Sequence, residues 1–138
     1  MNLPIGLRVA RAARVITQAF DRALAQAGGS AAVWQVLVLV RSRQWGTQSE
    51  MAEAMGVTAA TLTHHLNAME AQGLVRRWRE AREPARTARG VTAEGIALFD
   101  RLRDVVSAND RRLRSGLTDD EVEQLAALPD RLRAGVAP

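Results

Sequence analysis

The sequence predicts a mainly α-helical protein with one small β-hairpin, in the order α-α-α-α-β-β-α-α. Three observations carry this. Apolar residues recur at helical spacing in six stretches. Capping residues open those stretches and glycines close them, twice with Thr followed three residues later by Glu. One pair of short segments, LVRRWR and RTARGVT, breaks the helical pattern and brackets a polar stretch holding Pro84.

The elements follow in order. Pro4 suits the first turn of a helix, and Ile5, Val9, Ala12, Ala13, Ile16, Phe20, Ala23, Leu24 and Ala27 make one apolar stripe along it. Gly28-Gly29 stops it. Ser30 caps AAVWQVLVLVRSR, apolar nearly all round from Val33 to Val40, which predicts a central, buried helix. A strand was the rival there, and Ser-Ala-Ala and the length favour a helix. Gly46 ends that unit. Thr47 to Glu50 is a capping box that opens QSEMAEAM, which stops at Gly56; Thr58 caps AATLTHHLNAMEAQ, which stops at Gly73. After the hairpin, Thr92 caps a helix from about Ala93 to Leu113, and Gly116 breaks it. Thr118 to Glu121 is a second capping box; it opens a last helix through Leu132, kinked or split at Pro129.

Composition bounds the function. The chain has 138 residues, the size of one domain with one core. An Arg or Asp breaks every apolar run before it reaches the length of a membrane span. The N-terminal stretch carries charge where a secretory signal needs apolar residues, so the expected location is cytoplasmic, with no membrane partner. Cysteine is absent, which excludes disulfides, thiolate metal sites and a thiol switch. There is no Tyr, no phosphate loop and no set of residues arranged for catalysis, so no enzyme and no cofactor is expected.

Net charge is +4 and every basic residue is Arg. Genomic coding bias accounts for Arg as a composition; only its placement bears on function. Residues 1–48 carry net +5, 49–57 net −2, 58–92 net +3 and 93–138 net −2. All six Arg of the third segment, Arg76, Arg77, Arg79, Arg82, Arg86 and Arg89, fall within the hairpin. A local basic patch of this kind suits a polyanion.

Two short helices joined by Met-Gly-Val and followed by a hairpin make a winged helix-turn-helix. The second helix of such a unit lies in the major groove, and the wing follows the phosphates or enters the minor groove. Leu62, Leu66 and Met69 form the core face of that second helix. At about 100° per residue, Ala60, His64, Ala68 and Ala71 lie opposite, flanked by Thr61, Thr63 and Asn67. His64 should face DNA, and His65 should pack or hydrogen-bond near the core. The DNA-binding set is Thr58, Ala60, Thr61, Thr63, His64 and Asn67 with the six hairpin arginines. Adjacent histidines point apart, so His64-His65 makes a poor metal site.

The run TQSEMAEAMGVTAATLTHHLNAMEAQGLVRR, with GVTAEG after the wing, resembles the MarR family of bacterial transcription regulators. The likeness includes the order and length of the outer helices and so spans nearly the whole chain. It implies a homodimer on double-stranded DNA, most often as a repressor, with an aromatic or phenolic effector that shifts the two reader helices. Residues 30–92 are then the DNA-binding part, and 1–29 and 93–138 the dimerisation helices of a single domain. Two departures stand out. The family's wing Asp-Arg-Arg reads Glu83-Pro84-Ala85 here, leaving Arg86 or its rival Arg82 as the tip arginine. The family's frequent Arg after the residue matching Thr63 is His64.

Phe99, Leu102, Val106, Asn109 and Leu113 step by three and four, a heptad seam. It packs on the protein's own core or on a partner chain, and the resemblance implies the partner. With it go Ile5, Val9, Ile16 and Phe20 from the first helix and Leu125 and Leu132 from the last. Trp34 reads as core and Trp45 as core or boundary, with a ligand pocket the alternative for both; Trp78 reads as a staple of the wing. The expected function is a ligand-responsive repressor binding a pseudo-palindromic operator as a homodimer. The alternatives are a winged-helix protein-interaction module without specific DNA binding and a metal-responsive regulator.

Overall fold

The structure, a computed structural model, describes residues 2–42, 47–79 and 87–138, with backbone alone at 77–79 and 87–89. Among these it has six helices and one two-stranded antiparallel sheet: α1 (Ile5–Gln26), α2 (Ala31–Ser42), α3 (Gln48–Met55), α4 (Ala59–Ala71), β1 (Val75–Arg79), β2 (Thr87–Val91), α5 (Ala93–Arg114) and α6 (Asp119–Ala134). This is the mainly helical order read from the sequence. Gly46 and Pro84 lie outside the described residues.

Local chemistry sets the boundaries. Pro4 stands just before α1 rather than within its first turn, and its carbonyl accepts from the amides of Leu7 and Arg8, each at 3.1 Å. The Ser30 Oγ accepts from the Val33 N–H at 3.1 Å and opens α2. The Thr47 and Thr58 hydroxyls do the same for Glu50 and Thr61, each at 3.1 Å. Gly56 and Gly73 turn the chain at positive φ, 70° and 75°, where a side chain would be strained.

The chain divides into two compact parts, Met1–Val106 and Ser107–Pro138. The core of the first draws one layer from each helix. Leu24 of α1, Val36, Leu37 and Val40 of α2, Met51 of α3, Leu62, Leu66 and Met69 of α4, and Leu98 and Leu102 of α5 are buried together, with Leu74 and Val75 at the root of the hairpin. Burying a side chain of this size contributes about 1.5–3 kcal/mol, so α4 is held by its apolar face. The second part holds the end of α5 and α6. Its Thr118 and Glu121 exchange both capping hydrogen bonds, 2.9 and 3.2 Å. Between Leu113, Leu117, Val122 and Leu125 it leaves an apolar hollow of about 220 Å³.

Three expectations change. α2 is not buried all round: Val38 and Gln35 face outward, because only the Val36, Leu37, Val40 side meets the core. α6 is not split at Pro129 and runs on to Ala134. Leu102 is not on an open seam. It is fully buried in its own core, where its side chain fills the space beside Gly29; a Cβ on that glycine would stand 2.6 Å from it. Phe20, Phe99 and Val106 also pack against this core and are half-buried, as is Asn109 in the second part.

No single helix among the described residues is long and apolar enough to cross a membrane.

Candidate nucleic-acid interface

α4 begins where Thr58 stops the chain from continuing as a loop. The Thr58 Oγ1 accepts from the Thr61 N–H at 3.1 Å and donates its proton to the Thr61 Oγ1 at 3.0 Å. Thr58 is therefore committed to the cap. The Thr61 hydroxyl accepts that proton, and its own O–H points to no acceptor among the described residues. The first amides of α4 face outward at the positive end of the helix dipole, a place that suits an anion.

Burial divides α4 cleanly. Leu62, Leu66 and Met69 are at most 1% exposed. Ala60, Thr61, Thr63, His64, Asn67 and Ala68 are exposed, while His65 is half-buried. The two imidazoles diverge, with ring centres 6.0 Å apart and planes at 56°. Among the described residues no three His, Cys, Asp or Glu side chains gather as a metal site. The polar face of α4 thus offers hydroxyls, an amide and one imidazole, groups that both donate and accept.

The hairpin leaves the end of α4 directly. β1 and β2 pair from Val75 with Val91 to Arg79 with Thr87. Arg76 is exposed and sits opposite Gly90, which has no side chain to crowd it. The register also sets Arg77 directly opposite Arg89. The side chains of Arg77, Trp78, Arg79 and Arg89 and the whole of Arg82, Glu83 and Arg86 lie outside the described residues, as does Trp45.

The hairpin is anchored by contacts that the sequence alone did not reveal. The Thr92 hydroxyl donates to the Gly73 carbonyl at the end of α4 and accepts from the Gly95 N–H at 3.1 Å. The Thr92 N–H bonds the Leu74 carbonyl at 3.1 Å. Gly95 lies so close that a Cβ there would meet the Leu74 carbonyl oxygen at 2.1 Å. The sequence identified Thr92 only as a helix cap. A glycine inside the first turn of α5, which costs about 1 kcal/mol against alanine in a helix, was the signal of a close approach.

A second site lies on the other side of α2. Trp34 is half-buried and stacks on Phe99, ring centres 5.1 Å apart and planes at 13°. The Arg41 guanidinium covers Phe99 at 4.6 Å from its centre. Trp34 also lines an open pocket of about 370 Å³ with Gln35, Val38, Leu39, Ala54 and Met55.

Comparison with known proteins bears on this geometry. Residues 30–82 match the model of the MarR family. The fold is similar to that of the S. aureus MepR–DNA complex, with a TM-score of 0.86 at 22% identity, covering 98% of this chain and 100% of that one. It is also similar to a mutant E. coli MarR complexed with operator DNA, at TM-score 0.82 and 22% identity, over 94% of each chain. CouR from Rhodococcus jostii RHA1 bound to p-coumaroyl-CoA is 27% identical with a TM-score of 0.77, over 97% of this chain and 92% of that one.

Proposed function

We propose that the chain, whose residues 30–82 match the MarR family model, is a MarR-like DNA-binding transcription regulator, a repressor that holds a pseudo-palindromic operator as a homodimer. The observation that carries this reading is the division of α4: one side locked in the core, the other a row of exposed donors and acceptors with no apolar residue larger than alanine. A helix so built fits the major groove. Thr61 and Thr63 contact phosphate or a thymine methyl, His64 and Asn67 read base edges, and Ala60 leaves room for close approach. Thr58 acts through its cap, holding the outward amides that meet a phosphate.

The wing supplies the charge. The register pairs Arg77 with Arg89 across the hairpin, so two of its arginines belong to neighbouring positions of the two strands. Arg76, Arg79 and Arg82 add positive charge to the same stretch of sequence, and Arg86, two residues after Pro84, contacts the phosphate backbone or the minor groove.

The dimer is argued from exposure. Every residue of α1 from Ile5 to Gln18 is exposed, with Ile5 at 62% and Val15 at 66%. An amphipathic stretch of that length is marginal in water unless something covers it. Leu113, Leu125 and Leu132 are likewise uncovered. A second copy covers these faces: Ile5, Val9 and Ile16 belong to the interface of the first part, and Asn109 with Leu113, Leu125 and Leu132 to that of the second. Residues 1–29 and 93–138 then serve dimerisation, and 30–92 read DNA. Two-fold symmetry sets the reader helices about 34–36 Å apart, one turn of duplex. The site of action is the cytoplasm, and no catalytic role or cofactor is assigned.

The effector is a small aromatic or phenolic molecule held against Trp34 in the pocket of α2 and α3, and Trp45 is the second aromatic residue assigned to it. CouR binds an aromatic acyl thioester, which supports a ligand of that character. Its binding changes the spacing of the reader helices and releases DNA.

The test is selection of bound duplexes from random DNA, followed by affinity against salt. A palindromic sequence with half-sites about one turn apart, bound with a steep salt dependence, is the expected result. Recovery of no preferred sequence, with a flat salt response, refutes the reading.

A further inference from the structure

Four segments meet at Thr92. α4 ends at Gly73, β1 starts after Leu74, β2 ends at Val91, and α5 starts at Ala93. Gly73 and Leu74 have already given their amides to α4, bonding the carbonyls of Glu70 and Met69 at 3.0 and 2.9 Å. Their carbonyls are what remain, and Thr92 takes both, Gly73 through its hydroxyl and Leu74 through its N–H. The same hydroxyl then holds the Gly95 amide, in the turn whose backbone lies against Leu74.

Among the described residues the wing has no other hydrogen-bonded anchor to α4 and α5, although β2 also packs on α2 and Val75 and Val91 on the core. A lone two-stranded hairpin is marginal by itself, so its angle to the reader helix is set at its root. A hydroxyl that both donates to the reader helix and accepts from α5 fixes three directions at once: α4, the wing and α5. Thr92 is half-buried, and its hydroxyl is engaged on both sides, with the Gly73 carbonyl and the Gly95 amide. It acts by holding these groups.

We propose that Thr92 is a positioning residue that locks the wing and α5 to the reader helix, and that discrimination between operators of different half-site spacing depends on its hydroxyl. The proposal rests on the DNA-binding reading above.

The experiment compares wild type, Thr92→Val and Thr92→Ser in the full chain. Valine keeps the branched shape and removes both hydrogen bonds; serine keeps both and loses a methyl. The DNA probes are the duplex selected from random sequence and two derivatives with half-sites one base pair closer and one farther apart. The readout is the ratio of Kd for shifted and selected duplexes, with folding checked by circular dichroism and protection of the Gly95 amide followed by hydrogen exchange. Thr92→Val should lose Gly95 protection and reduce the Kd ratio about threefold or more, the scale of one hydrogen bond. Thr92→Ser should retain the wild-type ratio. A uniform loss of affinity on all three duplexes in Thr92→Val assigns Thr92 a structural role only and overturns the proposal. So does a Thr92→Ser ratio that departs from wild type. A wild type that selects no sequence at all instead overturns the DNA-binding reading, a result visible before any variant is made.

Discussion

Replacing Gly95 with alanine should be among the most damaging single-methyl changes in this protein. The added Cβ would lie 2.1 Å from the Leu74 carbonyl oxygen, 2.7 Å from a Val91 methyl and 3.1 Å from the Leu74 carbonyl carbon. The Val91 methyl can turn aside, but the Leu74 carbonyl cannot, since it holds the Thr92 amide. The oxygen is more than about 1 Å inside ordinary contact, so α5 or the hairpin root must shift. Overpacking costs about 1–3 kcal/mol where neighbours yield. A backbone neighbour places Gly95→Ala at about 3 kcal/mol or above, partly offset by the roughly 1 kcal/mol that alanine gains in a helix. A net loss of about 2 kcal/mol is a large share of the 5–15 kcal/mol typical of a domain. Urea unfolding at fixed protein concentration measures it, with Gly116→Ala as control, because nothing lies within 4 Å of a Cβ there. Gly116→Ala should change stability by under about 0.5 kcal/mol. Equal unfolding midpoints for Gly95→Ala and wild type would refute the close-approach argument.

Four further outcomes are expected. Leu66→Ala, emptying a fully buried position on α4, should cost about 2–5 kcal/mol by urea unfolding. His64→Ala should relax the preference at one base position by about 1–3 kcal/mol in quantitative binding to single-substituted operators, while leaving stability unchanged. Arg86→Ala should weaken all sequences alike and reduce the log-affinity against log-salt slope by about one unit. If Arg86 instead enters the minor groove, the loss is larger on A·T-rich flanks. By sedimentation at micromolar concentration the wild type should be dimeric, and Ile16→Glu, on the uncovered face of α1, should be monomeric.

Signals within a few residues were legible in the sequence. Thr47, Thr58 and Thr118 each cap the helix they were read to cap, and Gly56 and Gly73 end helices at positive φ. The rotation of α4 was legible for the same reason: Leu62, Leu66 and Met69 are the only large apolar residues of that helix, so one face alone could be buried. Contacts between distant segments were not. Leu102 fits a heptad as well as a core, and periodicity cannot say which surface a stripe meets. Its burial depends on Gly29, which leaves the space it fills. The run from Val33 to Val40 suggested burial all round, yet core exists on one side only, and Val38 faces outward.

The arginines show why placement outweighs composition in assigning the interface. Arg41 contributes to the +5 of the first 48 residues, but its guanidinium lies over Phe99, where attraction to the ring is worth about 0.5–1 kcal/mol at an exposed site. Arg103, Arg114 and Arg133 each pair with an Asp three or four residues earlier on the same helix. Such exposed pairs steady a helix by a few tenths of a kcal/mol and cancel its charge at long range. These arginines would be present whether or not the protein met a polyanion. The hairpin differs in density: six of the nineteen arginines fall between Arg76 and Arg89, and Arg76, exposed opposite Gly90, is placed to meet a polyanion rather than to steady a helix.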